Sequence, residues 1–385
     1  MWHNNGNILL KNALEHIATF GTAPSGTSHL VDVGTERYLK YFEKEIIDDL
    51  ISKGGATCKF FEGAYGSGKT HILEMLRELA FKKNLVVANT NLSQALSLSD
   101  WRLITEYIFQ NMEALIDGQI VRSLPEILAL WGRKNITSHI DILKKENLPC
   151  PGFKYAMIYA TQKDKISPEL WPFIEEYLSG RKVSNSDLKK HGLGTIKNCL
   201  NRRNAEYVLK TVLHGLYCLG FNGTILLFDE NEKTLSVDKR GPSRKNNIAA
   251  NLMRRMIDGC VNGLMAGTVS VFAVLPGFLE NCSMSYQALG QRLQIFRDET
   301  YRPSWRWPVL PVDFLNEITE EEDFLEHSIN KYVSIVEKLG GKNNGICSLM
   351  KESGQSVLLD NAGSGYKRIL MKTLSNIALQ SLGEG

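Results

Sequence analysis

The stretch at residues 63–70 constrains the fold of this chain more than any other part of it. It reads G-x-x-x-x-G-K-T, with an apolar run before it and a helical pattern of apolar residues after it. This pattern requires a strand, a glycine-rich turn and a helix in that order, because the turn's backbone amides and the helix N-terminus together bind phosphate oxygens. The sequence therefore predicts a phosphate-binding loop between a strand and a helix.

Individual side chains of the loop predict separate roles. Gly63, Gly66 and Gly68 permit positive φ angles and a close approach of the backbone to a ligand. Lys69 is expected to reach the β- and γ-phosphates of a nucleotide, and the Thr70 hydroxyl to ligate Mg²⁺. The alternative is a strand-to-helix turn without a ligand, although such a turn gives no reason for a lysine and a hydroxyl at these offsets.

A second strand-like run, residues 223–228, ends in the acidic pair Asp229 and Glu230. Continuous apolar runs are typical of buried strands in parallel sheets, and ligands bind at the carboxyl ends of such strands. Asp229 is therefore predicted to hold the Mg²⁺ coordination shell. Glu230 is predicted to polarise the water that attacks the γ-phosphate. The alternative for both is a solvated strand end.

Strand and helix patterns alternate along the chain, which predicts an α/β fold with a parallel sheet. Further strands are predicted at 84–90, 268–275 and 309–312, and a short extended piece at 30–33. A helix is predicted from Trp101 to about Ile116, with no strand between residues 100 and 205. The predicted organisation is an N-terminal part of the core (1–99), a mainly helical insertion (100–205), a C-terminal part of the core (206–312) and a helical lid (313–385).

Composition limits the classes of partner. The formal net charge of +3 is too small to indicate a polyanion partner by itself. A nucleic-acid surface would have to be local, for which the basic loop 239–245 and the segment 305–307 are candidates; a solvated turn and core packing are the alternatives. Seven cysteines without a C-x-x-C pair predict buried free thiols in a reducing cytoplasm. Signal-peptide and membrane-span patterns are not seen.

Several signals occur in one order along the chain, at residues 21–24, 33–36, 62–71, 226–232, 272–276 and 289–293. Together they resemble the P-loop ATP-binding family associated with BREX (bacteriophage exclusion) systems, whose fold is similar to that of AAA+ and ORC/Cdc6-like ATPases. The resemblance covers most of the chain and is weakest across 110–200. It implies an AAA+-like P-loop NTPase fold, and ATP and Mg²⁺ as cofactors.

The resemblance also implies residue roles. Asp229 and Glu230 correspond to the Walker B acids, and Arg292 looks like a conformation-sensing or trans-acting arginine. Arg368 resembles a lid arginine over the γ-phosphate. For each arginine, an ordinary surface or salt-bridged role is the alternative. Residues 33–34 are expected to pack against adenine, with a plain loop as the alternative. The implied nucleotide-binding residues are Val33, Gly34, Gly63, Ala64, Tyr65, Gly66, Ser67, Gly68, Lys69, Thr70 and His71, with Thr70 and Asp229 as Mg²⁺ ligands.

One position departs from the family pattern. Leu275 stands before Pro276, where relatives tend to carry a polar threonine that senses the attacking water. This departure favours slow hydrolysis, or hydrolysis that depends on a partner. Two hypotheses follow: an oligomeric, cytoplasmic ATPase that acts as a switch or motor on or near DNA, and a nucleotide-gated assembly module that recruits a helicase, nuclease or methyltransferase. A kinase is disfavoured, since an Asp-Glu pair after an apolar strand suits water activation better.

Overall fold

A computed structural model of the chain describes residues 2–93, 95–134, 136–229, 244–293, 304–342, 345–361 and 365–383. The chain divides into two compact units. Unit 1 consists of Met1–Phe42, Phe61–Glu78 and Pro303–Gly385, and unit 2 of Glu43–Phe60 and Leu79–Arg302. Unit 1 therefore contains the predicted phosphate-binding loop, and unit 2 contains the strand that ends at Asp229. The domain boundaries stated above stay predictions.

The described residues form a seven-stranded, mostly parallel sheet, which confirms the α/β fold class. The strands are β1 (Ala56–Glu62), β2 (Val86–Asn91), β3 (Met112–Ile116), β4 (Gln119–Arg122), β5 (Thr224–Asp229), β6 (Thr268–Val274) and β7 (Val309–Pro311). Their order is β4-β3-β2-β5-β6-β1-β7. Strand β5 is parallel to both neighbours, with Ile225 opposite Val87 on β2 and Val269 on β6.

The core of unit 2 is centred on β5 and β6, in which every residue is buried. The Phe272 ring is stacked between Phe228 and Phe60, with ring centroids 4.5 and 5.0 Å apart. Buried central strands of this kind carry apolar residues on both faces, which explains why residues 223–228 and 268–274 read as continuous apolar runs.

Helices make up most of unit 1 and connect the strands in unit 2. In unit 1 and at its borders they are α1 (Trp2–Phe20), α2 (Ser28–Val31), α3 (Glu36–Tyr41), the π-helical Phe42–Asp48, α4 (Lys69–Lys82), α15 (Glu321–Lys338), α16 (Ile346–Asp360) and α17 (Tyr366–Gly383). In unit 2 they are α5 (Trp101–Asn111), α6 (Leu124–Trp131), α7 (Thr137–Lys145), α8 (Pro151–Ala160), α9 (Trp171–Leu178), α10 (Asn185–Lys190), α11 (Ala205–Cys218), α12 (Arg244–Val261), α13 (Phe278–Ser285) and α14 (Gln287–Leu293). Short 3₁₀ segments are Ile51–Lys53, Lys163–Lys165, Pro168–Leu170 and Val312–Leu315.

Two secondary-structure predictions are wrong. The helix predicted from Trp101 to Ile116 ends at Asn111, and the chain continues as the β3–β4 hairpin at the edge of the sheet. Asp117 and Gly118 form its two-residue turn with φ angles of 51° and 80°, the geometry that hairpin turns require. The piece predicted as extended at 30–33 is helical as far as Val31, in α2.

Unit 1 has its own hydrophobic core, which joins segments far apart in sequence. Leu14 of α1 and Val33 pack in one cluster with α15, α16 and α17, in which Tyr332 and Leu374 are fully buried. The helices predicted as a lid therefore share a core with the N-terminal segment that precedes the loop. Among the described residues, every helix is too short or too polar to cross a lipid bilayer.

Candidate functional site

The predicted phosphate-binding loop has the expected order of strand, turn and helix. Strand β1 ends at Glu62 and helix α4 begins at Lys69. Between them, Gly66 and Gly68 have φ angles of 76° and 100°, which favour glycine. A Cβ atom on Gly63 would lie 2.4 Å from Ser67 Oγ, so a side chain at this position would fill the turn.

The Lys69 ammonium lies against the loop backbone. Its Nζ donates to the carbonyl oxygens of Gly63 at 2.7 Å and Ala64 at 2.8 Å, and lies 5.5 Å from the centre of the Tyr65 ring. The side chain is buried, whereas Tyr65 and Thr70 are exposed. The loop thus holds a positive charge next to an accessible surface, which is the electrostatic arrangement that a polyphosphate requires.

Ser67 adds an unsatisfied polar group to the loop. Its hydroxyl is buried and has no hydrogen-bond partner among the described residues. Buried polar atoms are nearly always hydrogen-bonded, so an exception calls for an explanation such as a missing ligand or water. Together with the restricted space at Gly63 and the Lys69 ammonium, this hydroxyl fits a nucleotide phosphate group in the loop.

The residue after Thr70 connects α4 to the segment before α3. His71 Nε2 lies 2.8 Å from Asp32 Oδ1, and Thr35 Oγ1 donates to both Asp32 carboxylate oxygens at 2.8 Å. Burial alone would raise the pKa of Asp32, but the hydrogen bonds from His71 and Thr35 and the His71 charge outweigh it, so the pKa is lowered. His71 belongs to the phosphate-loop motif, whereas no motif in the sequence points to Asp32.

A second connection lies two turns further along α4. Glu78 accepts the Ser28 backbone N–H at 2.8 Å and contacts His29 Nδ1 at 2.5 Å. One turn before it, Glu74 accepts a hydrogen bond from Ser25 Oγ at 3.0 Å. The segment 25–35 is therefore held along the first three turns of α4. These contacts join residues about 40–50 positions apart in sequence, so no local sequence pattern predicts them.

Val33 and Gly34, predicted to contact adenine, are fixed by a loop after β7. Asn316 Nδ2 donates to the Val33 carbonyl at 2.9 Å, and the Glu317 N–H donates to the Gly34 carbonyl at 2.7 Å. Gly34 has a φ of 79°, and a Cβ there would lie 2.1 Å from Asn316 Oδ1. A glycine is therefore required at this position, and the adenine contact stays a prediction.

The start of α17 lies against the phosphate-binding loop. A Cβ on Gly66 would lie 2.7 Å from the Gly365 carbonyl oxygen. Arg368, in the first turn of the helix, is exposed and donates from Nη2 and Nε to the Phe20 carbonyl at 2.8 and 3.3 Å. In this structure the predicted lid arginine thus binds the C-terminal carbonyl of α1, and its γ-phosphate role stays a prediction.

The other predicted site residues belong to unit 2. Asp229 is the last residue of β5, is buried and stands opposite Asn91 of β2. Glu230 lies outside the described residues. Arg292 on α14 pairs with Asp258 of α12 at 2.9 Å. This ion pair is the salt-bridged alternative that the sequence left open, and no observation tests a role in sensing nucleotide.

The structure describes one of the two candidate nucleic-acid segments and only the end of the other. Trp305 packs edge-on against Tyr38 at 5.7 Å and donates from Nε1 to the Phe314 carbonyl at 3.4 Å, so packing explains this ring. Of the predicted basic loop, residues 239–243 lie outside the described part, and Arg244 begins α12.

In the described residues, one cluster of side chains has the donor atoms that metal ions bind, and it lies away from the phosphate-binding loop. Glu146, His214 and Cys218 have donor atoms within 4.8 Å of one another. His214 Nε2 is 3.8 Å from Glu146 Oε2, an ion-pair distance that requires no metal when the imidazole is protonated. All seven cysteines are free, but only Cys58, Cys218 and Cys282 are buried, so the prediction of buried thiols is right for these three.

Comparison with known proteins identifies the family. The model of the family described as BREX system ATP-binding protein BrxC/D matches residues 12–131 and 174–325, more than half of the chain. The matched segments contain the phosphate-binding loop, Asp229 and Arg292, whereas Arg368 lies beyond them. No curated protein and no solved structure matches the chain. The chain therefore belongs to the BrxC/D family of BREX system ATP-binding proteins.

Proposed function

We propose that the protein is a Mg²⁺-dependent ATPase that serves as a switch or motor in BREX anti-phage defence. The observation that carries this proposal is the Lys69 ammonium, buried against the Gly63 and Ala64 carbonyls inside a loop of the required geometry. Family membership supports an ATP-binding role in BREX defence. Hydrolysis is the proposed addition, and it rests on Asp229, the last residue of β5, and on Glu230, which follows it in the sequence.

Each proposed residue has a distinct task. The backbone of residues 63–68 and the Lys69 ammonium bind the phosphates, and His71 holds the start of α4 through Asp32. Thr70 and Asp229 would hold Mg²⁺, which neutralises charge on the phosphate oxygens. Glu230 orients and deprotonates the attacking water. Arg292 and Arg368 are proposed to stabilise charge on the transferred phosphoryl group.

The direct test is Lys69→Ala, with Lys82→Ala as the matched control. Both changes remove a lysine from α4, but Lys82 is exposed at the other end of that helix. We expect Lys69→Ala to reduce ATP affinity at least about 100-fold, since charge-assisted hydrogen bonds to phosphate are lost, while circular dichroism stays unchanged. Titration calorimetry measures the affinity. Unchanged ATP binding in Lys69→Ala would contradict the assignment of the loop.

We further propose a cytoplasmic homo-oligomer that works with other BREX components, among which a helicase, a methyltransferase or a nuclease would supply the DNA chemistry. We propose that this oligomer acts on or near DNA. Reciprocal affinity purification from cells that carry the neighbouring defence genes tests these partners. Sedimentation with ATP, with ADP and without nucleotide tests the oligomer.

The alternative is a nucleotide-gated assembly module with little hydrolysis. The observation that favours it is Leu275, which directly follows buried strand β6 and offers no polar group to an attacking water. Glu230→Gln separates the two functions, because it keeps nucleotide binding and removes the base. If the variant loses turnover but keeps oligomer size and partner binding, the ATPase is favoured; if the wild type itself shows no turnover, the module is favoured.

A further inference from the structure

The segment Gly180–Asn204 concentrates the positive charge of the chain. It contains seven lysine and arginine residues and one acidic residue, Asp187, and so carries a net charge of +6. The whole chain has a net charge of only +3, so the remaining residues together carry −3. A local excess of this size produces a positive potential that the overall charge conceals.

All seven cations of this segment are exposed to solvent. Arg202 pairs with Asp100 at 3.1 Å, and the other six make no ion pair within the described part of the chain. Six unpaired cations on one short segment repel one another, and an anionic partner relieves that repulsion. The cations are Arg181, Lys182, Lys189, Lys190, Lys197, Arg202 and Arg203.

The backbone that presents these cations is held by side-chain hydrogen bonds. Asn204 accepts the Asn201 N–H at 2.8 Å and donates to the Cys199 carbonyl at 3.0 Å. The Tyr177 hydroxyl donates to the Lys197 carbonyl at 2.5 Å. A fixed backbone lowers the ordering cost of binding, so the segment is organised before a partner arrives.

A cavity of about 550 Å³ opens beside the segment, within unit 2. Its lining combines guanidinium, ammonium and amide groups, which are the groups that contact phosphate and sugar in nucleic-acid complexes. Glu106 is the acid in the lining, and it is already paired with Arg102 at 2.7 Å. The polar lining otherwise consists of Arg181, Lys182, Asn185, Asn198 and Asn201.

We propose that Gly180–Asn204 and the adjoining cavity bind the phosphate backbone of double-stranded DNA without reading its sequence. The segment has no Phe, Tyr or Trp, and the ring of its one histidine, His191, already packs against Phe173 with the ring centroids 4.7 Å apart, so it offers no free platform on which the bases of a single strand would stack. Charge without stacking is the footprint of duplex-backbone contact. The inference rests on the DNA part of the proposed function, and its surface is separate from residues 239–245, most of which lie outside the described residues, and from Trp305, whose ring is explained by packing.

The test compares two triple variants with equal loss of charge. One is Lys182→Ala, Lys189→Ala, Lys190→Ala in the segment. The matched control is Lys338→Ala, Lys342→Ala, Lys351→Ala, three exposed lysines of unit 1. Fluorescence anisotropy with a labelled 30-base-pair duplex, in EDTA and without nucleotide, gives the dissociation constant from 50 to 300 mM salt. Circular dichroism establishes that both variants are folded.

We expect the segment variant to bind the duplex at least about tenfold more weakly at 50 mM salt, and the slope of log affinity against log salt to become less negative by about 3. The control should stay within about twofold of the wild type. Equal weakening of both variants, or a wild type without salt-sensitive duplex binding, overturns the proposal. Tighter binding of single-stranded DNA or RNA of equal length overturns the choice of duplex.

The Lys69→Ala protein separates this inference from the proposed ATPase. Because the assay contains no nucleotide, we expect Lys69→Ala to bind the duplex as the wild type does. A wild type that does not hydrolyse ATP but shows the difference between the triple variants would defeat the ATPase alone. A wild type that hydrolyses ATP but does not bind the duplex would defeat this inference alone.

Discussion

Asp32, in the segment before α3, contacts the first turn of the helix that follows the phosphate-binding loop. Its contacts with His71 and Thr35 lower its pKa below the usual value of 3.8. A carboxyl group whose pKa is lower in the folded than in the unfolded protein stabilises the fold above the unfolded value. That stabilisation is lost as the pH falls through the folded value.

We therefore expect Asp32→Asn to lower the free energy of unfolding at pH 7 by about 1–3 kcal/mol, because a charged acceptor in a partly buried network is removed. The difference from the wild type should begin to shrink below about pH 4, where the carboxyl of the unfolded chain becomes protonated, and should be lost as the pH falls through the lower pKa of the folded protein. Urea unfolding at a series of pH values measures it. A difference that stays constant from pH 7 to pH 3 would argue against this role of the Asp32 charge.

Gly66 has two separate reasons to be glycine, its φ of 76° and the Gly365 carbonyl next to it. Gly66→Ala should cost about 1–2 kcal/mol for the left-handed conformation, and more for displacing that carbonyl. Gly26→Ala is the matched control, because Gly26 has a φ of 85° and open space around it. Thermal unfolding and ADP titration compare them. Equal destabilisation, with equal ADP affinity, would show that the contact with Gly365 is unimportant.

At the scale of elements, local sequence patterns predict most of the strands and helices whose signal lies in consecutive residues. The strand, loop and helix at 56–82 and the buried strands β5 and β6 each carry their signal in consecutive residues. The β3–β4 hairpin was missed, although Asp117-Gly118 is a strong hairpin signal, because the apolar residues after Trp101 also fit a helical period. Contacts such as Asn316 with Val33, which are 283 positions apart, leave no periodic trace in the sequence.

The junction of α1 and α17 gives a prediction about helix ends. The exposed carbonyls at the end of a helix need donors, and Arg368 donates to that of Phe20. Arg368→Ala should lower the free energy of unfolding by about 1 kcal/mol, whereas Lys372→Ala, an exposed position one turn later, should have little effect. Chemical denaturation measures both. Lost turnover with unchanged stability would instead favour the γ-phosphate role that the family resemblance implies.

At the scale of the whole molecule, the net charge conceals a concentration of charge in one segment. The net charge of +3 indicated no polyanion partner, yet one segment of 25 residues carries +6. The sequence contains this segment, but the net charge of the whole chain does not show its local excess of positive charge. Exposure of all seven cations is a property of the fold, so the surface could be recognised only when burial was known.

The core of unit 1 joins both ends of the described chain within the unit that contains the phosphate-binding loop, so we expect the loop to unfold with this core. Leu374 of α17 is fully buried in the cluster that also contains Leu14 and Val33. Leu374→Ala should therefore cost about 2–5 kcal/mol. Leu359→Ala, on α16 and 83% exposed, should cost less than about 0.5 kcal/mol. The proposed function requires that ADP bind only the folded loop, so ADP at 100 times its dissociation constant should restore about 2.7 kcal/mol to Leu374→Ala. Thermal unfolding with and without ADP measures this, and a Leu374→Ala protein that ADP does not stabilise would contradict the link between this core and the loop.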